Sequence, residues 1–141
     1  MSDKPKWMEI AEKEIGVAEV PGEKENPRIV AYHDATTLSA DSERVSWCSS
    51  FASWVMKQAG IKGTGSAAAR SWLSWGEKVD IPQYGDVCIF SRGNNPAQGH
   101  VAFYVGPDGP DRIKVLGGNQ NDSVCIASYP LDRLLGFRRP K

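Results

Sequence analysis

The most regular stretch of the sequence is SWCSSFASWVMKQAG, residues 46–60. Its apolar side chains recur every three to four residues, which is the spacing of one face of an α-helix. Gly60 follows the stretch directly, and glycine readily adopts the left-handed backbone conformation that ends many helices. We therefore predict a helix that starts near Ser46, runs to Ala59 and carries Cys48 in its first turn. The predicted apolar face consists of Cys48, Phe51, Ala52, Val55, Met56 and Ala59.

Shorter helical patterns flank this stretch. Residues 7–15 place apolar side chains at helical spacing and end at Gly16. Residues 29–33 are compatible with a short helical turn. Residues 67–75 predict a further helix, which ends at Gly76.

After Pro82 the pattern changes to short apolar runs separated by turn-forming residues. This pattern predicts an antiparallel meander of about five strands. Helices followed by such a sheet define the α+β class, with N-terminal helices packed on the antiparallel sheet. We see no long linker, so we expect a single domain over residues 1–141, with its core at about 7–138. The apolar runs cover residues 86–90, 100–105, 113–116, 124–128 and 134–137.

The composition argues against several classes of function. Seventeen basic residues balance seventeen acidic ones, whereas nucleic-acid-binding proteins usually carry a basic excess, so we expect no nucleic-acid partner. No apolar run approaches the ~20 residues of a membrane span, so we expect none. The first residues, MSDKPK, lack the apolar segment of a secretory signal. We therefore expect synthesis in the cytoplasm, so that action outside the cell requires release or injection.

The three cysteines differ in their surroundings. Cys88 and Cys125 lie within predicted strands, where a cysteine behaves as a small hydrophobic residue, so we expect both in the core. No pair of cysteines has the spacing of a zinc site. Cys48 opens the predicted helix, and a helix N-terminus favours negative charge and hence the nucleophilic thiolate. On these arguments alone, Cys48 is either a reactive thiol or a small buried residue.

His100 and Asn119 are the other candidates for chemistry. His100 begins a predicted strand, which places it to meet the first turn of a helix that packs on that strand. Asn119 ends the neighbouring strand, in the segment GGNQ at residues 117–120. There its amide oxygen can accept the Nδ1–H of His100 and so orient the ring. The same segment also has good turn chemistry, which is the alternative explanation.

Four segments together resemble a known family, namely SWCSSFA at residues 46–52, PQYGDV at 82–87, GHVA at 99–102 and LGGNQ at 116–120. They are similar, in chain order, to the nucleophile helix, the turn into the sheet, the histidine strand and the polar orienting segment of CHAP and NlpC-type amidases. These amidases are papain-like cysteine peptidases that cleave peptidoglycan. The whole pattern is most similar to small, mostly phage- and prophage-associated proteins.

This resemblance implies a papain-like fold in which Cys48 is the nucleophile and His100 the base. The implied activity is that of a peptidoglycan amidase or endopeptidase, an endolysin, which forms a thioester on Cys48. Asn119 is the implied orienting residue. Many CHAP proteins carry a glutamate two positions earlier, where this chain has Gly117, and other relatives use a second histidine. We expect no cofactor and no required metal, because residues 34–43 lack the spacing of a calcium loop.

Further residues near these candidates have open assignments. We expect the substrate groove to be lined by Trp47, Tyr104 and Gln120, although Trp47 is equally suited to cover the core. The second donor to the oxyanion is open among Glu43, Ser46 and Tyr32.

Other functions are compatible with the same sequence. The five tryptophans would also suit a non-catalytic wall-binding module, in which Cys48 is dispensable. A metal-dependent amidase built on His33, Asp34 and His100 is a second alternative. The same cysteine chemistry suits an interbacterial toxin, whose partner would be an immunity protein, whereas an endolysin would depend on a holin. We expect a monomer that acts on the cell wall in the periplasm.

Overall fold

The computed structural model describes residues 4–18, 27–33, 47–66, 68–92, 99–120 and 123–140. Within these residues three α-helices come first: α1 at Lys6–Lys13, α2 at Pro27–His33 and α3 at Cys48–Gln58. A 3₁₀ helix at Ala69–Ser74 precedes the sheet, and another at Leu131–Arg133 precedes its last strand. The strands are β1 at Glu77–Val79, β2 at Val87–Ser91, β3 at Gly99–Pro107, β4 at Arg112–Gln120, β5 at Ser123–Pro130 and β6 at Leu134–Arg139.

The described strands form one antiparallel sheet in the order β1-β6-β2-β3-β4-β5. The predicted α+β class is confirmed, but the sheet has six strands rather than about five. The unpredicted strand, β1, is three residues long, and its Glu77 and Lys78 are exposed, so no apolar alternation marks it. The last strand in the chain, β6, lies between β1 and β2.

The predicted helices occur with adjusted bounds. Helix α3 ends as expected, since Gly60 follows it with a φ of +79°. The segment predicted as a helix over residues 67–75 forms the 3₁₀ helix instead, because its three-residue repeat buries Ala69 and Trp72 on one side. Across the described ranges, none of the helices has both the length and the apolar character needed to span a membrane.

The sheet buries side chains on both of its faces. Along β2, Val87 and Ile89 pack with the helices, whereas Cys88 and Phe90 belong to a second, smaller apolar cluster. This division follows from the alternation of side chains along a strand. The ring of His100, near the start of β3, lies by the ring of Phe90. His100 therefore lies on the same face of these two strands as Phe90 and Ala102.

A partly buried ion pair anchors β6 beside the start of β2. The side chain of Asp86 is 3% exposed and accepts hydrogen bonds from Nε and Nη2 of Arg139 at 2.8 and 2.7 Å. The backbone N–H of Gln83 donates to the same carboxylate at 2.7 Å. Because the two-pronged contact is directional, it specifies geometry as well as attraction. The aspartate of the PQYGDV segment therefore has a structural role.

All three cysteines lie in the described residues, and none is in a disulfide. Cys88 is fully buried, as predicted, and burial raises the pKa of its thiol. Cys125 is only partly buried, so its predicted core position is wrong. The reason is that β5 lies at the edge of the sheet, where side chains have fewer neighbours.

Candidate active site

Cys48 is the first residue of α3 and is 1% exposed. The first turn of α3 contains no acidic residue, so the partial positive charge of its backbone amides is not offset from within the turn. Such a position favours a thiolate once a base can take the proton. The structure thus combines both interpretations of Cys48, since the thiol is buried and also lies at a positive helix end.

Ser49 holds this first turn in place. Its hydroxyl donates to the backbone oxygen of Ser66 at 2.7 Å and accepts the indole N–H of Trp72 at 2.8 Å. Trp72 is fully buried, so its N–H needs this acceptor. The loop before the 3₁₀ helix is therefore tied to the residue next to Cys48, which restricts the position of the thiol.

His100 is fully buried near the start of β3. Its Nε2 lies 2.8 Å from Oε1 of Gln120, on the neighbouring strand β4. The orientation of the Gln120 carboxamide follows from its other end, because its Nε2 donates to the backbone oxygen of Cys125 at 2.7 Å. Oε1 of Gln120 is therefore the acceptor, and Nε2 of His100 carries the proton that it accepts.

The other ring nitrogen of His100, Nδ1, is buried and has no hydrogen-bond partner among the described residues. In the neutral ring it carries a lone pair, because the proton is on Nε2. A buried polar atom without a partner is uncommon in folded proteins and calls for an explanation. Nδ1 is thus the atom at which His100 can accept a proton.

Tyr129 connects the surroundings of His100 and Cys48. Its ring stacks on the imidazole, with centroids 4.9 Å apart and 16° between the planes. Burial is the main cause of the raised pKa of the Tyr129 hydroxyl; the positive charge of Arg92 lowers this pKa, and a thiolate at Cys48 would raise it. Such charge effects weaken with distance, so the phenol and the thiol belong to one region of the molecule.

Two glycines of β4 make room for these contacts. A Cβ on Gly117 would lie 2.8 Å from Oε1 of Gln120, and one on Gly118 would lie 2.7 Å from the ring of Trp47. The register of β4 against β5 shifts between Gly117 and Gln120. With regular alternation, the side chain of Gln120 would lie on the same face of the sheet as Gly118. The register shift places it on the other face, where it contacts His100. The two consecutive glycines are the sequence signal for such a bulge.

The three groove candidates lie in different environments. Trp47 is fully buried in the main core, so of its two possible positions the structure shows the core and not the groove. Gln120 is 3% exposed and contacts His100, and its expected place along a groove stays a prediction. Tyr104 lies four residues after His100 along β3; it is partly buried and packs against Phe137.

Asn119 lies in β4, beside the His100 strand, as the sequence predicts. Its side chain is outside the described part of the structure, so its contact with His100 stays a prediction. The carboxamide contact that the structure describes comes from the next residue, Gln120. It also goes to Nε2 of the ring, not to Nδ1 as expected for Asn119.

The remaining candidates can be placed only in part. Tyr32 was one of three possible oxyanion donors, but its buried hydroxyl donates to Oε1 of Glu14 at 2.8 Å. In the described ranges, no group of three His, Cys, Asp or Glu side chains is arranged to hold a metal ion. The side chain of His33 lies outside the described residues, as do Asp34, Glu43 and Ser46.

An α+β fold with a buried cysteine at a helix N-terminus and an oriented histidine on the sheet defines a class of candidate cysteine hydrolases. Comparison with known proteins then identifies the family. The CHAP domain family matches residues 40–119, more than half of the chain, and this range includes Cys48 and His100. The chain therefore belongs to the CHAP domain family, whose members are typically hydrolytic cell-wall enzymes.

Among solved structures, one match is a Staphylococcus aureus subsp. aureus Mu50 protein described as similar to a lipoprotein of the NLP/P60 family. The two sequences are 22% identical, and the TM-score is 0.47. The match covers 84% of this chain and 43% of that one, so the chain spans less than half the length of that protein. No curated protein matches the chain significantly.

Proposed function

We propose that this chain is a monomeric, single-domain cysteine amidohydrolase that cleaves an amide bond in peptidoglycan. Cys48 is the nucleophile, His100 is the base, and Gln120 takes the orienting role first predicted for Asn119. The observation that carries the proposal is the state of the His100 ring. Its Nε2 is held by Gln120, while its buried Nδ1 has no partner among the described residues. Membership of a family of cell-wall hydrolases supports the choice of substrate.

In the first half of the reaction, Nδ1 of His100 takes the proton of the Cys48 thiol. The thiolate sulfur attacks the carbonyl carbon of the scissile amide, and the carbonyl electron pair moves to the oxygen. Backbone amides at the start of α3 stabilise this oxyanion. When the oxyanion collapses, the C–N bond breaks and His100 gives its proton to the leaving amine, which leaves a thioester on Cys48.

In the second half, water replaces the amine. Nδ1 of His100 accepts a proton from water while the oxygen attacks the thioester carbon. The C–S bond then breaks, the carboxylic acid product leaves, and the proton on His100 restores the thiol. Gln120 accepts the Nε2–H throughout, so the ring keeps the same nitrogen directed at the reacting atoms.

The test is digestion of purified peptidoglycan by the wild type, Cys48→Ala and Cys88→Ala, with the fragments identified by mass spectrometry. Cys88 is the matched control because it is also a buried thiol, but it lies in the middle of β2 and burial raises its pKa. We expect the wild type and Cys88→Ala to release the same peptides and the folded Cys48→Ala to release none. The fragment masses then distinguish the muramoyl–alanine amide from a peptide bond of the stem or cross-link.

Two outcomes would contradict the proposal. Equal cleavage by the wild type and Cys48→Ala would exclude Cys48 as the nucleophile and favour a metal-dependent amidase. Binding to peptidoglycan by both proteins without any cleavage would favour a wall-binding module instead.

For the biological role, we propose an endolysin that reaches the cell wall when lysis begins. The similarity of its four sequence segments to phage- and prophage-associated proteins supports this role. Expression in bacteria with and without a co-expressed holin tests it, with lysis expected only when the holin is present. Suppression of lysis by the product of a neighbouring gene would identify a toxin with its immunity protein instead.

A further inference from the structure

Arg133 lies beside the candidate active site. Its guanidinium carbon is 5.7 Å from the centroid of the Tyr129 ring, which stacks on His100. Its Nε and Nη2 donate to the backbone oxygen of Ser91 at 3.1 and 2.8 Å. Ser91 pairs with Gly99 across β2 and β3, so these bonds hold Arg133 next to the strand position that precedes His100.

Arg92 follows Ser91 and supplies a second cation in the same region. Like Arg133, it lowers the pKa of the Tyr129 hydroxyl, and a thiolate at Cys48 would act on that same hydroxyl. Both arginines are partly exposed, so a solute can reach them. Because Ser91 precedes Arg92 in sequence and accepts the hydrogen bonds of Arg133, both positive charges lie beside the start of the strand that carries His100.

The charge of this pair is not neutralised within the described part of the chain. The salt bridges of the described residues involve other cations, namely those of Lys4, Arg28 and Arg139. Asp132 is next to Arg133 in sequence, but no ion pair joins them. Neighbouring positive charges repel each other, and a bound anion would offset that repulsion.

We propose that Arg92 and Arg133 form a carboxylate subsite, which binds a free carboxylate of the peptidoglycan stem peptide close to the scissile amide. This proposal rests on the function proposed above. Guanidinium groups suit such a ligand because their planar N–H groups match the two oxygens of a carboxylate. Stem peptides carry free carboxylates near their amide bonds. The subsite therefore selects acidic stems over amidated ones and fixes where the amide lies relative to Cys48.

The experiment compares two forms of one substrate. Soluble stem-peptide fragments are divided, and one half is treated with carbodiimide in excess ammonia, which converts carboxylates to uncharged carboxamides. We expect the wild type to cleave the acidic form with a kcat/KM about tenfold higher, mainly through KM, as for one charge-assisted contact in a partly exposed site. Arg92→Gln and Arg133→Gln should each lose most of this preference, measured as the ratio of the two kcat/KM values within each variant.

Lys57→Gln is the control for loss of one positive charge. Lys57 is exposed in the last turn of α3, at the opposite end of the helix from Cys48, so this variant should keep the wild-type preference. Arg92→Gln is the sharper of the two test variants, because Arg133→Gln also removes the hydrogen bonds to Ser91.

Failure of the subsite and failure of the proposed function give different results. Equal cleavage of both forms by the wild type, or an unchanged preference in both arginine variants, would overturn the subsite and leave the cysteine mechanism intact. If the wild type cleaves neither form, the proposed function fails. Calorimetric binding of the two forms to Cys48→Ala, with and without Arg92→Gln, then decides the subsite. Tighter binding of the acidic form that depends on Arg92 supports it, and equal binding overturns it.

Discussion

Among single residues, Gln120 has the contact that determines which nitrogen of His100 is basic. Its carboxamide is held at both ends, by the imidazole Nε2 at 2.8 Å and by the backbone oxygen of Cys125 at 2.7 Å. Because both ends are engaged, the amide cannot flip to offer its N–H groups to the ring without losing two hydrogen bonds. The residue therefore sets the tautomer of His100 as well as its orientation.

Replacement of Gln120 by glutamate tests this assignment. Gln120→Glu keeps an acceptor for the Nε2–H but adds a negative charge beside the ring, which stabilises the imidazolium and raises the pKa of His100. Titration of the histidine ring protons by nuclear magnetic resonance measures this pKa, and His33, the other histidine of the chain, serves as the reference. Gln58→Glu, which adds the same charge at an exposed position of α3, should leave the pKa unchanged.

Gln120→Leu provides the matching kinetic measurement for the same contact. It removes the acceptor, so the ring is no longer held in one orientation, and we expect kcat to fall about a hundredfold with little change in KM. A wild-type kcat in Gln120→Leu, together with an unchanged His100 pKa in Gln120→Glu, would show that the contact only contributes to packing.

At the scale of secondary-structure elements, the sequence predicts the helices and strands whose side chains are buried at regular intervals. Helix α3 and strands β2 to β6 follow their predicted positions within a few residues, because each must present an apolar face to a core. β1 is only three residues long and its first two side chains are exposed, so it shows no alternation of apolar and polar residues. The contact of Gln120 with His100 was missed for a related reason. The register shift after Gly117 breaks the alternation of side chains along β4, so alternation no longer predicts on which face of the sheet Gln120 lies.

The contact between β4 and α3 at Gly118 leads to a prediction about stability. A Cβ at this position would lie 2.7 Å from the Trp47 ring and 2.8 Å from Cβ of Phe51. Gly118→Ala should therefore push the helix from the strand and lower the free energy of unfolding by about 1–3 kcal/mol, as overpacking of a core does.

Gly106→Ala is the matched control for this substitution, because a Cβ on Gly106, in β3, would meet no atom within 4 Å. Urea unfolding of the two variants measures the difference in stability. Equal stability of the two would mean that the approach of Trp47 to β4 is not close enough to require glycine.

For the molecule as a whole, burial of the tyrosines couples folding to alkaline pH. All four tyrosines of the chain are described, and each has a raised pKa with burial as the largest cause. The pKa of Tyr84 is raised to about 12 by burial and by its hydrogen bond to Glu12. In the unfolded chain tyrosines ionise near pH ~10. The folded state therefore keeps protons that the unfolded state releases.

The sign of the resulting pH dependence follows from linkage. The contribution is fully present below about pH 10 and is lost as the pH rises through the folded-state pKa values. We expect the free energy of unfolding, measured in urea, to fall between about pH 10 and about pH 12, and to fall less steeply in Tyr84→Phe. A free energy that is flat over this range would contradict the raised pKa values.

The position of β6 has a consequence for the timing of activity during synthesis. This strand ends at Arg139 yet lies inside the sheet, between β1 and β2, where Arg139 binds Asp86. A ribosome releases the chain from its N-terminus, so α3 and the His100 strand emerge well before the strand that completes their support. The full sheet therefore cannot form until residue 139 has left the ribosome, and the thiol and imidazole gain their final setting only after that point.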